Sequence, residues 1–150
     1  MHSELFTPQN PDWEVPVQES FRRQGMMSTL GVELHRLHLG EVRLRFRHVA
    51  SLTQHHGYIH AGVLGAVLDS SCGWAAQTLM PAGSEVLTVE YKLNLLRPAV
   101  GEIFEACGQV VRAGRTVSAA EGSLYAVDRP ERTIATLTAT LIRVDEREDR

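Results

Sequence analysis

The sequence predicts an α+β domain, built on one long buried helix and a set of antiparallel strands. Three observations carry this. Residues 62–79 run without a proline and place Val63, Leu64, Val67, Leu68, Cys72, Trp74, Ala75 and Leu79 on most sides, and a helix that is apolar nearly all round is a buried one. Four β-rich runs follow, over 86–96, 102–112, 116–127 and 133–144. The links between them are short, which favours antiparallel pairing as a four-strand meander.

At 150 residues the chain suits one domain with its own core. We divide it into an N-terminal tail and short helix over 1–29, the main domain over 30–144 and a charged tail over 145–150. Its 43% apolar and 22% charged content is that of an ordinary soluble protein. A net charge of −3 without a basic stripe argues against a nucleic-acid partner. The apolar run is too short and too rich in Ser, Gly and Gln for a membrane span, so no membrane partner is expected. The start of the chain has neither a basic nor an apolar leader region, and Cys72 and Cys107 stand apart in no ligand-like spacing. They read as reduced thiols, and the expected location is cytoplasmic.

Taken in order, residues 1–14 have loop composition, with Pro8, Asn10, Pro11 and Asp12. Pro16 sits in the first turn of a helix expected to reach Leu30, packed through Val17, Phe21 and Met26 or Met27. Residues 32–38 and 41–46 alternate across Leu39-Gly40 as a hairpin, with Glu41, Arg43, Arg45 and Arg47 facing solvent. Residues 47–53 lead into the long helix, which stops at Pro81-Ala82-Gly83. In the second of the four later strands, Gly108 marks an expected bulge. One helix covers one face of such a sheet, so a second copy is expected on the other face or on an edge.

Asp69 is the anomaly of the long helix. Aspartate is a poor helix-interior residue, and an unpaired buried carboxylate is costly or shifts its pKa. Gly62, Gly65, Ala66, Cys72, Gly73 and Ala76 surround it at three- and four-residue spacings, a stripe nearly bare of side chain. Another backbone or a ligand can come close there. Asp69 is therefore either a catalytic carboxylate or an acid bonded to a neighbouring strand or copy. His55, His56 and His60 crowd the approach to the helix, but no acid or cysteine joins them at zinc-like spacing, so no metal is expected. His60 is expected to order the loop and start the helix.

With these residues in place, the sequence resembles the hotdog-fold acyl-CoA thioesterases, in the subfamily typified by the phenylacetate-pathway enzymes. The likeness runs from about Leu30 to Val144. It rests on the order of elements and on a motif: Gln54, then His60-Ala61-Gly62 in the place of a His-Gly-Gly, then Asp69 about two helical turns on. Thr88 stands where the family has a hydroxyl near the acid, and Arg112-Ala113-Gly114-Arg115 resembles its basic Gly turn. The departure is Ala61, which keeps the backbone N–H of the glycine it replaces but adds a methyl.

The resemblance implies a long central helix wrapped by an antiparallel sheet, and hydrolysis of an acyl- or aryl-acyl-CoA thioester. The amides of Ala61 and Gly62 at the helix start suit an oxyanion hole. Asp69 suits a general base or nucleophile, with Gln54 and Thr88 holding water or carbonyl. Arg97, Arg112, Gly114 and Arg115 are the candidates for gripping coenzyme A, and Tyr58, Leu64 and Trp74 for lining the acyl pocket. The thioester is the substrate, and no cofactor is implied. The donor and the acid would come from opposite subunits of a homodimer or a dimer of dimers. Rival readings are a non-catalytic acyl-CoA-binding or sensing hotdog protein, a hydratase of the same fold, whose His/Asp spacing is missing, and an interaction module. Thiol release from a panel of acyl-CoAs separates them.

Overall fold

The computed structural model describes residues 6–145. Helix α1 (Glu14–Arg23) and the short α2 (Gly25–Thr29) come first. Strands β1 (Glu33–His38) and β2 (Glu41–Arg47) form the hairpin, followed by the long helix α3 (Ala61–Gln77). Strands β3 (Ser84–Leu95), β4 (Ile103–Ala113), β5 (Val117–Ala126) and β6 (Ala135–Asp145) complete the domain. The expected single helix over 16–30 is two, because Gln24 is extended at ψ 101 and breaks the ladder just before Gly25. The charged tail after Asp145 lies outside the described residues.

The six strands make one antiparallel sheet in the order β1-β2-β4-β5-β6-β3. This corrects the expected four-strand meander. Only β4, β5 and β6 run as neighbours, and β3 crosses to the far edge, where it pairs with β6 from Ser84↔Asp145 to Leu95↔Ala135. The fold is the hotdog arrangement, a long helix packed against an antiparallel sheet.

Strand alternation explains the core. Val42, Leu44 and Phe46 of β2, Phe104, Ala106 and Val110 of β4, and Ala120, Leu124 and Ala126 of β5 are buried with α3. The helix lies unusually close to the sheet at Gly108. A Cβ built there would stand 2.4 Å from the carbonyl carbon of Ser71. Gly108 is therefore a seat for the helix and not the bulge expected; the register shifts fall at Leu34/Arg36 on β1, at Thr88/Glu90 on β3 and at Val110/Arg112 on β4. At the other end of the helix, Thr78 Oγ1 accepts the Gly40 N–H at 2.8 Å and donates to Ala75 O. Gly40 sits at φ +78, which only glycine adopts easily.

Helix α1 covers the side of α3 that faces away from the sheet. Trp74 Nε1 donates to Ser20 Oγ at 3.0 Å, and its ring meets Phe21 edge-on at 5.4 Å. Trp74 is 2% exposed. It anchors α1 and is not the acyl-pocket wall suggested by the sequence.

The two sheet edges differ. On β1, Glu33, His35, Arg36 and His38 are exposed, the charged edge that discourages pairing. On and just beyond β3, Leu87, Val89, Tyr91, Leu95 and Leu96 are 46–59% exposed.

Candidate active site

The site begins with how α3 starts. Thr53 bridges Ile59, and inside that small loop the Gln54 N–H donates to Tyr58 O at 2.8 Å. Gln54 Oε1 accepts the His56 N–H. Gln54 Oε1 is thus used within its own loop, its Nε2 meets no acceptor among the described residues, and no described bond joins the side chain to Asp69. His60 is the N-cap, extended at ψ 139, and its Nδ1 accepts the Gly62 N–H at 2.8 Å. This is the loop-ordering role expected of it. The neutral ring then carries its proton on Nε2. Of the two amides considered for the oxyanion hole, Gly62 is engaged by this cap, and the Ala61 N–H meets no acceptor among the described residues. It stands at the positive end of a 17-residue helix.

Two turns on, Asp69 is half-buried. Thr88 Oγ1 donates to its Oδ1 at 2.7 Å. Burial pushes its pKa above the ordinary value, and the Thr88 bond opposes that without cancelling it. The bare stripe is only partly as expected. Gly65 faces β3, where a Cβ would lie 3.4 Å from Leu93 Cδ2 and 3.5 Å from the Tyr91 hydroxyl, and Gly73 faces Val86. Cys72 turns instead to the sheet, 3.1 Å from the Cβ position of Gly122. The small residues let β3 lie against the helix, and that contact carries Thr88 to Asp69.

A second carboxylate lies on the opposite face of the sheet. Glu105 is 3% exposed and takes bonds from Arg43 at 2.9 Å, Arg45 at 2.6 Å and the Tyr125 hydroxyl at 2.5 Å. Arg43 also binds Glu41 at 2.6 Å, and Gln109 donates to Glu41. Burial alone would raise the Glu105 pKa, but Tyr125, Arg45 and Arg43 outweigh it and bring it down to about 2. Glu41, Arg43 and Arg45 are therefore half-buried members of an ion-pair network, where the sequence reading had them facing solvent. Arg47 is exposed as expected.

The proposed coenzyme A contacts do not gather in one place. Arg97 lies just beyond β3, at the end of the sheet where α3 begins; its Nη1 donates to Thr133 O at 2.6 Å. Arg112, Gly114 and Arg115 are exposed on the β4–β5 turn at the opposite end, closed by the Gly114 N–H to Val117 O at 3.0 Å. At the Arg97 end, two clefts of about 520 and 230 Å3 share Tyr58 and Val100 as a common wall. The smaller also takes Arg97, Arg129 and Arg132. Sequence reading passed over the last two; the signal was two arginines in the turn that pairs with the Arg97-Pro98 strand end. Cys72 and Cys107 are free thiols, both buried.

A long helix packed on a six-stranded antiparallel sheet, with the half-buried Asp69 bonded to Thr88 two turns after the helix start, places the chain in the hotdog class. The chain belongs to the thioesterase superfamily, whose family model matches residues 56–144. It is 34% identical over 113 residues to a Halobacterium salinarum protein provisionally named an esterase, covering 72% of this chain and 74% of that one. Among solved structures, a thioesterase family protein from Silicibacter pomeroyi superposes with TM-score 0.86 at 46% identity, over 89% of this chain and 98% of the other. The PaaI protein of the Escherichia coli phenylacetic acid degradation operon shares the fold at TM-score 0.82 and 15% identity, over 92% and 97% of the two chains. So does the BH2602 protein of Bacillus halodurans, described with CoA, at TM-score 0.72 and 23% identity, over 89% and 84%. No helix among the described residues is long and apolar enough to cross a membrane.

Proposed function

We propose that this thioesterase-superfamily protein hydrolyses an acyl- or aryl-acyl-CoA thioester to the free acid and coenzyme A. The observation that carries the reading is the Asp69 carboxylate, half-buried, held by Thr88 at 2.7 Å and shifted toward neutrality. Such a group suits a general base toward water, or a nucleophile. The carbonyl oxygen would sit on the Ala61 N–H, where negative charge develops. Coenzyme A is favoured by the BH2602 neighbour described with CoA and by the arginine at the sheet end where α3 begins, Arg97.

Asp69 lies eight residues after Ala61, about 12 Å along a helix. One carbonyl group cannot touch both ends of that span. The site is therefore proposed to be shared, with Ala61 of one copy meeting Asp69 of the other. The apolar β3 edge suits the contact. Thr88 is level with Asp69, and Tyr91 and Leu93 are level with Gly65. A two-fold axis that exchanges the Asp69 level for the Ala61 level crosses β3 near Tyr91. The dimer, or a dimer of dimers, is then the active unit.

The test combines two dead variants. Asp69→Asn removes the base and should lower kcat by about 10²-fold or more. Ala61→Pro removes one N–H at the first helical position, where proline is tolerated, and should cost about 10²-fold or more. Mixed and allowed to exchange subunits, the two should recover about a quarter of wild-type thiol release, since half the dimers carry one intact site. No recovery from exchanged dimers would place both groups in one protomer and end the shared-site reading. No thiol release by wild type from any of a panel of acyl-CoAs would leave the non-catalytic acyl-CoA-binding alternative.

A further inference from the structure

The smaller cleft at the Arg97 end brings three guanidinium groups together from two separate parts of the chain. Arg97 follows β3, while Arg129 and Arg132 sit in the turn between β5 and β6. Arg97 is held in place by its bond to Thr133 O. The turn itself is fixed, with Arg129 N–H donating to Ala126 O at 2.9 Å and Arg132 N–H to Arg129 O at 3.0 Å. Among the described residues, Arg97 and Arg132 form no ion pair with a carboxylate, and Arg129 has only Asp128, at 3.7 Å. Three like charges are thus collected without a matched set of acids, in a chain whose net charge is −3. The rest of the lining is different in kind: Tyr58, Pro98, Val100, Ala126 and Ile134 give flat or apolar walls.

We propose that this cleft binds the phosphorylated nucleotide end of the thioester substrate, with Arg129 and Arg132 joining Arg97 on the phosphates and Tyr58 offering a face to the base. Guanidinium groups match phosphate oxygens in forked pairs, and an aromatic ring stacks on a base of any identity. The assignment rests on the coenzyme A reading above. It adds two residues to it, and chooses the Arg97 end over the Arg112–Arg115 turn. A cleft of about 230 Å3 that is lined by three arginines and by apolar walls suits a base carrying phosphates better than a bare anion.

The binding experiment uses no thioester. Adenosine 3′,5′-bisphosphate is titrated calorimetrically into the wild-type protein, into Arg129→Ala/Arg132→Ala and into Arg112→Ala/Arg115→Ala, with inorganic phosphate as a second probe. The first pair should weaken nucleotide binding about tenfold or more, the loss of charge-assisted bonds, and the second pair should leave it unchanged. Inorganic phosphate should bind more weakly than the nucleotide. A melting curve checks that each variant is folded, and Arg129→Lys/Arg132→Lys, which keeps charge but not the fork, should fall between wild type and the alanine pair. Wild type that fails to bind the nucleotide, an unchanged affinity in the folded first pair, loss in the second pair instead, or equal affinity for nucleotide and phosphate would each overturn the assignment. Thiol release from an acyl-pantetheine keeps this outcome separate from the hydrolase reading. Turnover without nucleotide binding ends only the cleft assignment, and nucleotide binding without turnover ends only the hydrolase.

Discussion

Asp69 and Glu105 are both carboxylates withdrawn from water, and their acidities move in opposite directions. Asp69 is the less buried of the two, yet its pKa rises. Glu105 is almost wholly buried, yet its pKa falls to about 2. Burial penalises both charges, and partners decide the outcome. Asp69 has one neutral hydroxyl; Glu105 has two guanidinium groups and a phenol. The difference teaches how to tell the proposed reactive acid from a structural one here. The structural acid is saturated with donors. The other has a single donor and a raised proton affinity.

The largest expected effect separates the two by what is lost. Asp69→Asn should lose about 10²-fold or more in kcat while the melting temperature holds or rises. The sign follows from its raised pKa: ionised Asp69 opposes folding at neutral pH, and that cost fades as pH falls through its folded value. Steady-state kinetics and a melting curve on the same preparation check this. A large fall in stability would make Asp69 a structural acid after all. Glu105→Gln should do the reverse. It leaves Arg45 without an acid and Arg43 with Glu41 alone, and should cost about 3 kcal/mol, near 10 °C in Tm, with kcat per folded molecule unchanged.

Smaller effects sharpen the contrast. The Glu105 pKa is lowered, so its stabilisation is complete above the ordinary carboxylate value of 4.5 and is lost as pH falls toward about 2. Acid titration of stability should show that loss in wild type, and a weaker one in Glu105→Gln. An identical acid limb in both would place the loss elsewhere. Thr88→Val should move the acidic limb of the kcat profile to higher pH, because the Thr88 bond is what holds the Asp69 pKa down. The rate on the plateau should fall only several-fold, the usual scale for one hydrogen bond. A limb that stays put would mean that it reports another group.

The sequence made one of these carboxylates visible and hid the other. Asp69 stood out because periodicity places it in a helix with apolar neighbours, and a charge there needs a reason. Helix α3 itself was legible to within two residues at each end, and the strands nearly as well. Thr88 was reached through the family likeness, since β3 meets α3 only through a fold that periodicity does not specify. Glu105 was hidden because alternation assigns a residue to a face and not to its cross-strand neighbours. Arg43 and Arg45 looked solvated until β4 was seen to pair with β2. The same limit produced the meander error: short links suggest neighbours, but β3 exchanges its place beside β4 for one beside β6. Trp74 was misread for a related reason, since nothing in its own helix shows that α1 will cover it.

The seat at Gly108 has a consequence for any survey of substitutions in this chain. Every side chain larger than hydrogen at that position must displace the backbone of Ser71, two residues from Asp69. At Gly122 a methyl would meet Leu68 Cδ2 at 2.9 Å and the Cys72 sulfur. A library selected for turnover would therefore find Gly108 as intolerant as the proposed reacting groups, purely through packing, and Gly122 less so, since a flexible leucine end can give way there. The two kinds of intolerance part at the level of yield. Variants at Gly108 should vanish from the soluble fraction, whereas Asp69→Asn should accumulate as well as wild type and simply stand idle.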